Sequence, residues 1–154
     1  MNSPQHPRHS DALPISAFTP SEVASDLSWA PDMAAFDEPP LTAKAYVQAY
    51  LADPTTWWWS TNDYSSSEAD VVLKRVLAIA AEAQLPDHEE ALGQVGVGPL
   101  ENMMSDTLLD LLGAWMPFTP AMRYALSSVR MEFESPALQR RLSAMIAGSL
   151  RNSR

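Results

Sequence analysis

A chain of 154 residues suits one domain and leaves a second full domain out of reach. Hydrophobic residues make up 46% of it and charged residues only 19%, which describes a compact, ordered body. Its formal net charge of −9 excludes a general nucleic-acid backbone binder, which needs clustered Lys and Arg, and argues against docking on an anionic membrane.

Pro4, Pro7, Pro14, Pro20, Pro31, Pro39 and Pro40 fall in the first forty residues, so residues 1–40 read as a proline-rich, partly flexible leader. Arg8 is not followed by a continuous apolar run, and the segment does not read as a secretory signal. Within it, "TPSEVASDLSW" offers Thr19 as an N-cap, Pro20 in the first turn and Glu22 as a capping-box acid. One short helix is expected there before Pro31, either docked on the body or hanging free.

Residues 41–150 read as a single all-helical domain. "LTAKAYVQAYLAD" places Leu41, Ala45, Tyr46, Ala49 and Tyr50 near one face, and Asp53-Pro54 stops the helix. "DPTTWWWS" follows. Adjacent helical residues point about 100° apart, so Trp57, Trp58 and Trp59 fan over about 200° and cannot all face one core. A strand leaves the same difficulty, because its middle ring faces away from the other two. One or two of the rings are expected to anchor the core between the first body helix and the helix over 72–83. The remaining ring then lies at the surface or under the leader.

"SSSEADVVLKRVLAIAAEAQ" is the clearest helix, with Val72, Leu73, Val76, Leu77, Ile79, Ala80 and Ala83 on a broad stripe and Lys74, Arg75 and Glu82 opposite. Pro86 ends it. "DHEEALGQV" starts another, with Asp87 as its cap and Glu90 at a capping-box position. "GPLENMMSDTLLDLL" reads as a helix beginning at Pro99 after Gly98, aligning Leu100, Met103, Met104, Leu108 and Leu111. "TPAMRYALSSVRMEF" uses Thr119 and Pro120 to start a stripe of Met122, Ala125, Leu126 and Val129. "SPALQRRLSAMIAG" uses Ser135 and Pro136, turns Leu138, Leu142, Met145 and Ile146 inward, and stops at Gly148. No convincing strand is present. The fold class is all-α, a compact bundle or irregular stack of about six helices.

No catalytic constellation emerges. "GQVGVGP" follows no strand and continues into Pro99 and Leu100 rather than a Lys and a Ser or Thr, so helix punctuation explains its glycines better than phosphate binding. His88 in "DHEE" has no second His one helical turn away, and acids in a helix's first turn are expected from the macrodipole. No serine sits in a nucleophile elbow with a credible base. Glu101 with Asp106 or Asp110 could form an acid pair, but a capping role suffices for Glu101. Neither an enzyme, a cofactor nor a metal is expected. The eight methionines stand mostly at helical spacing, for which core packing is the plain explanation and a pliable binding surface the sharper one.

Without cysteines, disulfides and thiolate chemistry are excluded, and the cytoplasm is the default compartment. No stretch approaches the roughly 20 apolar residues that a membrane span requires. Residues 11–110 hold 17 acids against Lys44, Lys74 and Arg75, whereas residues 111–154 hold Glu132 and Glu134 against six arginines. An acidic body with a basic end favours a basic partner or pairing between the halves, and a solubilising surface is the plainer reading.

"VGVGPLENMM", with the preceding "VVLKRVLAIAAEA" and "DPTTWWWS" and the later "MRYALSSVRM", resembles an uncharacterised bacterial domain-of-unknown-function family over about Leu41 to Phe133. Its specific element is the Gly-Pro-Leu-Glu helix start at Gly98, Pro99, Leu100 and Glu101. The resemblance implies a small helical protein without known catalytic residues, and for some members a toxin and immunity setting. The tryptophan triplet and the leader depart from that pattern. The expected function is therefore an immunity or antitoxin-type protein that neutralises a toxin or effector through an acidic, aromatic surface. Its candidate residues are Trp57, Trp58, Trp59, Asp63, Glu68, Asp70, Asp87, Glu89 and Glu90. A helical scaffold or regulatory subunit of another complex is the alternative, and a homodimer stays open.

Overall fold

The computed structural model describes residues 19–25, 28–31, 33, 41–62 and 69–152, and every regular element among them is helical. The order is α1 (Pro20–Ser25), α2 (Ala43–Ala52), α3 (Pro54–Trp57), α4 (Trp59–Asn62), α5 (Ala69–Glu82) and α6 (Glu89–Val95). A π-helical turn (Gly96–Leu100) leads into α7 (Glu101–Met103). Then come α8 (Asp106–Leu112), a 3-10 turn (Gly113–Trp115), α9 (Pro120–Ser127) and α10 (Pro136–Asn152). Asp63 and Glu68 lie outside the described residues.

Short polar side chains start most of these helices by accepting a backbone N–H that the helix itself leaves unused. Thr42 accepts from Ala45, Ser105 from Leu108, Thr119 from Met122 and Ser135 from Leu138. At α1 the capping box closes in both directions, Glu22 N donating to Thr19 Oγ1 at 3.3 Å and Thr19 N to Glu22 Oε1 at 2.7 Å. This helix does dock. Val23 is buried, and Trp29 just beyond it is buried with its Nε1 donating to the Val23 carbonyl at 3.2 Å.

Helix α5 forms the centre, packed against α1, α2, α4, α6, α9 and the π turn. Its Val72, Leu73, Val76, Leu77, Ile79 and Ala80 are fully buried, facing Tyr46 and Tyr50 of α2, Leu92 and Val95 of α6 and Ala125 and Leu126 of α9 in one continuous core. Met33, Met103, Met104 and Met122 are buried and Met116, Met131 and Met145 pack partly buried against the core, so these methionines serve packing.

Six expectations need correction. The inward face of α2 is Ala43, Tyr46, Val47, Tyr50 and Leu51, with Ala45 exposed, because the larger apolar side chains claim the core. Arg75 lies within the buried stripe of α5, not opposite it. Asp87 caps nothing: His88 precedes α6 without a side-chain cap, its Nδ1 instead accepting from Gln84 N at 2.9 Å.

Pro99 does not start a helix. The chain stays helical from Glu89 to Met103 and widens at Gly96–Leu100 into a π turn, a departure from α geometry at the place where a proline ring would strike the carbonyl four residues back. Nor is Gly148 a stop, since α10 continues to Asn152. The next residue explains it: buried Ser149 accepts from Phe118 N at 2.8 Å and donates to Met145 O at 3.1 Å, a tertiary tie that carries the helix past the glycine.

Pairing between the halves of the charge pattern is realised. Glu101 takes a two-pronged contact from Arg130, at 2.9 Å from Nε and 2.8 Å from the terminal nitrogen, and also accepts the Arg130 backbone N–H. Glu101 is therefore an arginine partner rather than a cap. Arg141 reaches Asp106 at 2.7 Å and Asp110 as well. The acids weighed as a catalytic pair are thus each engaged by an arginine.

Candidate functional site

The tryptophan segment crosses two short helices, α3 and α4, that meet at Trp58. Asp53 opens the first by accepting from Thr56 N at 3.3 Å, and Pro54 fixes its first turn. Ser60 and Thr61 turn their hydroxyls back, Ser60 Oγ donating to the Trp57 carbonyl at 2.6 Å and Thr61 Oγ1 to the Trp58 carbonyl at 3.4 Å. Small hydroxyl residues after the rings thus absorb backbone acceptors that so short a helix cannot satisfy.

Three neighbouring elements hold the segment from beneath. Tyr46 of α2 donates to Ser60 Oγ at 2.6 Å, since the Ser60 proton is already committed to Trp57. Tyr50 meets Thr61 Oγ1 at 3.0 Å. Gln94 of α6 donates from Nε2 to both the Tyr50 hydroxyl and the Pro54 carbonyl, each at 2.7 Å. Arg75 of α5 donates to the Trp29 carbonyl from Nε and to the Ser60 carbonyl from a terminal nitrogen, both at 2.7 Å. Its guanidinium carbon also stands 5.9 Å from the centre of the Tyr46 ring.

Burial pushes the Tyr46 phenol well above its ordinary range, against the opposing pull of the Ser60 hydrogen bond. Burial raises Tyr50 too, and lowers Arg75. A phenol whose folded pKa is raised contributes stability that is whole below the unfolded value of about 10 and lost as pH rises through the folded value. Alkaline titration should therefore show tyrosinate absorbance from Tyr46 and Tyr50 only as the protein unfolds. Comparison with Tyr46→Phe and Tyr50→Phe at 295 nm identifies the two contributions, and stepwise ionisation of either in the folded protein contradicts this placement.

This scaffold separates the three rings. Trp57 is half-buried and meets Tyr46 edge-on with centroids 5.9 Å apart, and Trp59 leans on Trp57 at 6.0 Å. Trp58 is 52% exposed. The fan expected from helical geometry is realised with the middle ring outward.

The acids are divided. Helix α3 packs on α6, and Thr55 Oγ1 donates to Glu90 Oε2 at 3.4 Å, which brings Glu90 beside the tryptophan segment. Asp87 and Glu89 are exposed at the same end of α6. Asp70 is half-buried in the first turn of α5. Sequence reasoning missed Asp53, Thr55, Arg75 and Gln94 as parts of this arrangement. Two of these left a signal: Asp53 precedes Pro54 as Thr19 precedes Pro20, and Arg75 stands three residues after Val72 and four before Ile79.

Comparison of the chain with family models, curated proteins and solved structures finds no match. Among the described residues no group of three His, Asp or Glu is placed to hold a metal ion, and no helix is long and apolar enough to cross a membrane.

Proposed function

We propose that this is a non-enzymatic partner-binding protein of the immunity or antitoxin type, which neutralises a bacterial toxin or effector in the cytoplasm by covering its working surface. The observation that carries this reading is Trp58, an indole 52% exposed on a segment tied to α2, α5 and α6. Large exposed aromatics on rigid supports are the usual centres of binding energy at protein interfaces. Asp53 caps the same segment and Glu90 accepts from its Thr55, with Glu89 and Asp87 at the same end of α6, none in an ion pair among the described residues. The acids farther along the chain, Glu101, Asp106 and Asp110, are occupied by arginines. The charge left over therefore favours a basic partner, whose capture acidic groups speed and whose release the indole slows.

Co-expression with the product of the neighbouring gene, followed by co-purification and a growth assay, tests the proposal. A complex that relieves toxicity supports it. Trp58→Ala should weaken that complex by at least about thirtyfold while leaving the melting temperature unchanged. Glu89→Gln with Glu90→Gln should slow association, an effect that shrinks as salt is raised. Neither complex nor relief of toxicity overturns the reading, and a concentration-dependent mass without a second protein favours a scaffold or regulatory subunit.

A further inference from the structure

The docked α1 leaves a groove of about 580 Å³ between itself, α2 and α5, closed on one side by Trp115. Its walls are apolar, built from Val23, Trp29, Val47, Ala78, Ala81 and Trp115. Alanines on α5 keep it open where larger side chains would fill it. A space of this size and lining suits a small molecule with an apolar body, fixed by a few polar groups.

Those polar groups are Lys44 and Gln48, one turn apart on α2, and Glu82 on α5. Lys44 is exposed and in no ion pair among the described residues. Of the other two cations between residues 11 and 110, Arg75 is buried on backbone carbonyls and Lys74 does not line the groove. An ammonium and an amide on one wall supply donors for a carboxylate, while Glu82 repels it and so confines it to the α2 side. From this we infer that the groove binds a linear aliphatic carboxylate, its head on Lys44 and Gln48 and its chain along the Trp29 and Trp115 indoles.

Isothermal titration of the full chain with dodecanoate, below the concentration at which it aggregates, tests this directly. Saturable one-to-one binding is expected, at least tenfold tighter than that of dodecylamine. Ala78→Leu, which fills the groove, should weaken binding at least tenfold, and Lys44→Met about fivefold, in keeping with an exposed ion pair. Glu82→Gln should tighten it. Lys44 and Glu82 are exposed, so those two variants remain informative if Ala78→Leu fails to fold. Absence of saturable binding overturns the inference, as does dodecylamine binding equally well. Affinity unchanged in Lys44→Met, or a groove closed by self-association of the chain, overturns it as well.

Discussion

Replacing Gly96 by alanine should lower the unfolding free energy by about 3 kcal/mol, read as a fall in the urea midpoint at constant slope. At this position α6 runs into the π turn and crosses α9. A Cβ there would stand inside contact distance of the Ala125 carbonyl oxygen and 2.8 Å from Ser128 Cβ. The first obstacle is a backbone carbonyl in the last turn of α9, which cannot rotate away as a side chain can, so relief requires the two helices to separate, and the packing of buried Val95, Leu100 and Leu126 would loosen. Two controls isolate this cause. Gly93, with nothing within 4 Å of an added Cβ, should tolerate alanine or gain up to about 1 kcal/mol from better helix propensity. Gly98→Ala meets the Asn62 side chain, which can rotate away, and should cost less than Gly96→Ala. Equal stability of all three variants would show that the α6 and α9 backbones do not approach so closely.

Arg75→Met should cost about 3 kcal/mol, through groups it leaves behind rather than through the charge removed. Exchanging a buried ionic group for an apolar one is often neutral when its partners are exchanged too. Here the partners are the carbonyls of Trp29 and Ser60, which stay in place and lose their donor. Each buried acceptor without a hydrogen bond costs about 1–3 kcal/mol, and this outweighs the desolvation relieved by removing the guanidinium. Arg75→Lys should recover only part of the loss, because an ammonium lacks the planar fork that reaches two carbonyls at once. Urea denaturation supplies the magnitude. Hydrogen exchange supplies the location, with protection falling in residues 28–31 and 57–62 before the rest of the core. A methionine variant as stable as the parent would remove Arg75 from its bridging role.

These two residues mark the boundary of what the sequence discloses. Helix starts at Thr19, Thr119 and Ser135 are local chemistry, decided within four residues, and they are legible without the fold. The stripes of α5 and α9 are legible for the same reason, and with them the helical class. Arg75 is different. Its spacing from Val72 and Ile79 puts it on the buried face, yet its side-chain type argues outward, and only the arrival of two distant carbonyls decides between them. Gly96, Gly98 and Pro99 look like punctuation between helices, but their neighbours are Ala125 and Asn62, far away in the chain. Gly148 looks like an end until Ser149 is seen bonded to Phe118.

The candidate surface divides in the same way. That the three indoles must diverge follows from helical geometry. Which one faces outward follows from Tyr46, Ser60 and Thr61, whose contacts with the segment depend on how α2 packs beneath it. Glu90 joins the segment through Thr55 only because α3 lies on α6, whereas Asp87, adjacent in sequence to the same helix start, makes no such bond to the segment.

Fixing the Trp58 backbone from below has a consequence for how it would meet another molecule. The backbone that carries its ring is preorganised, so docking forfeits little backbone conformational entropy in this stretch of chain. Encounter rates then depend on long-range charge and diffusion, and substitutions at Trp58 should register almost wholly in the lifetime of the complex.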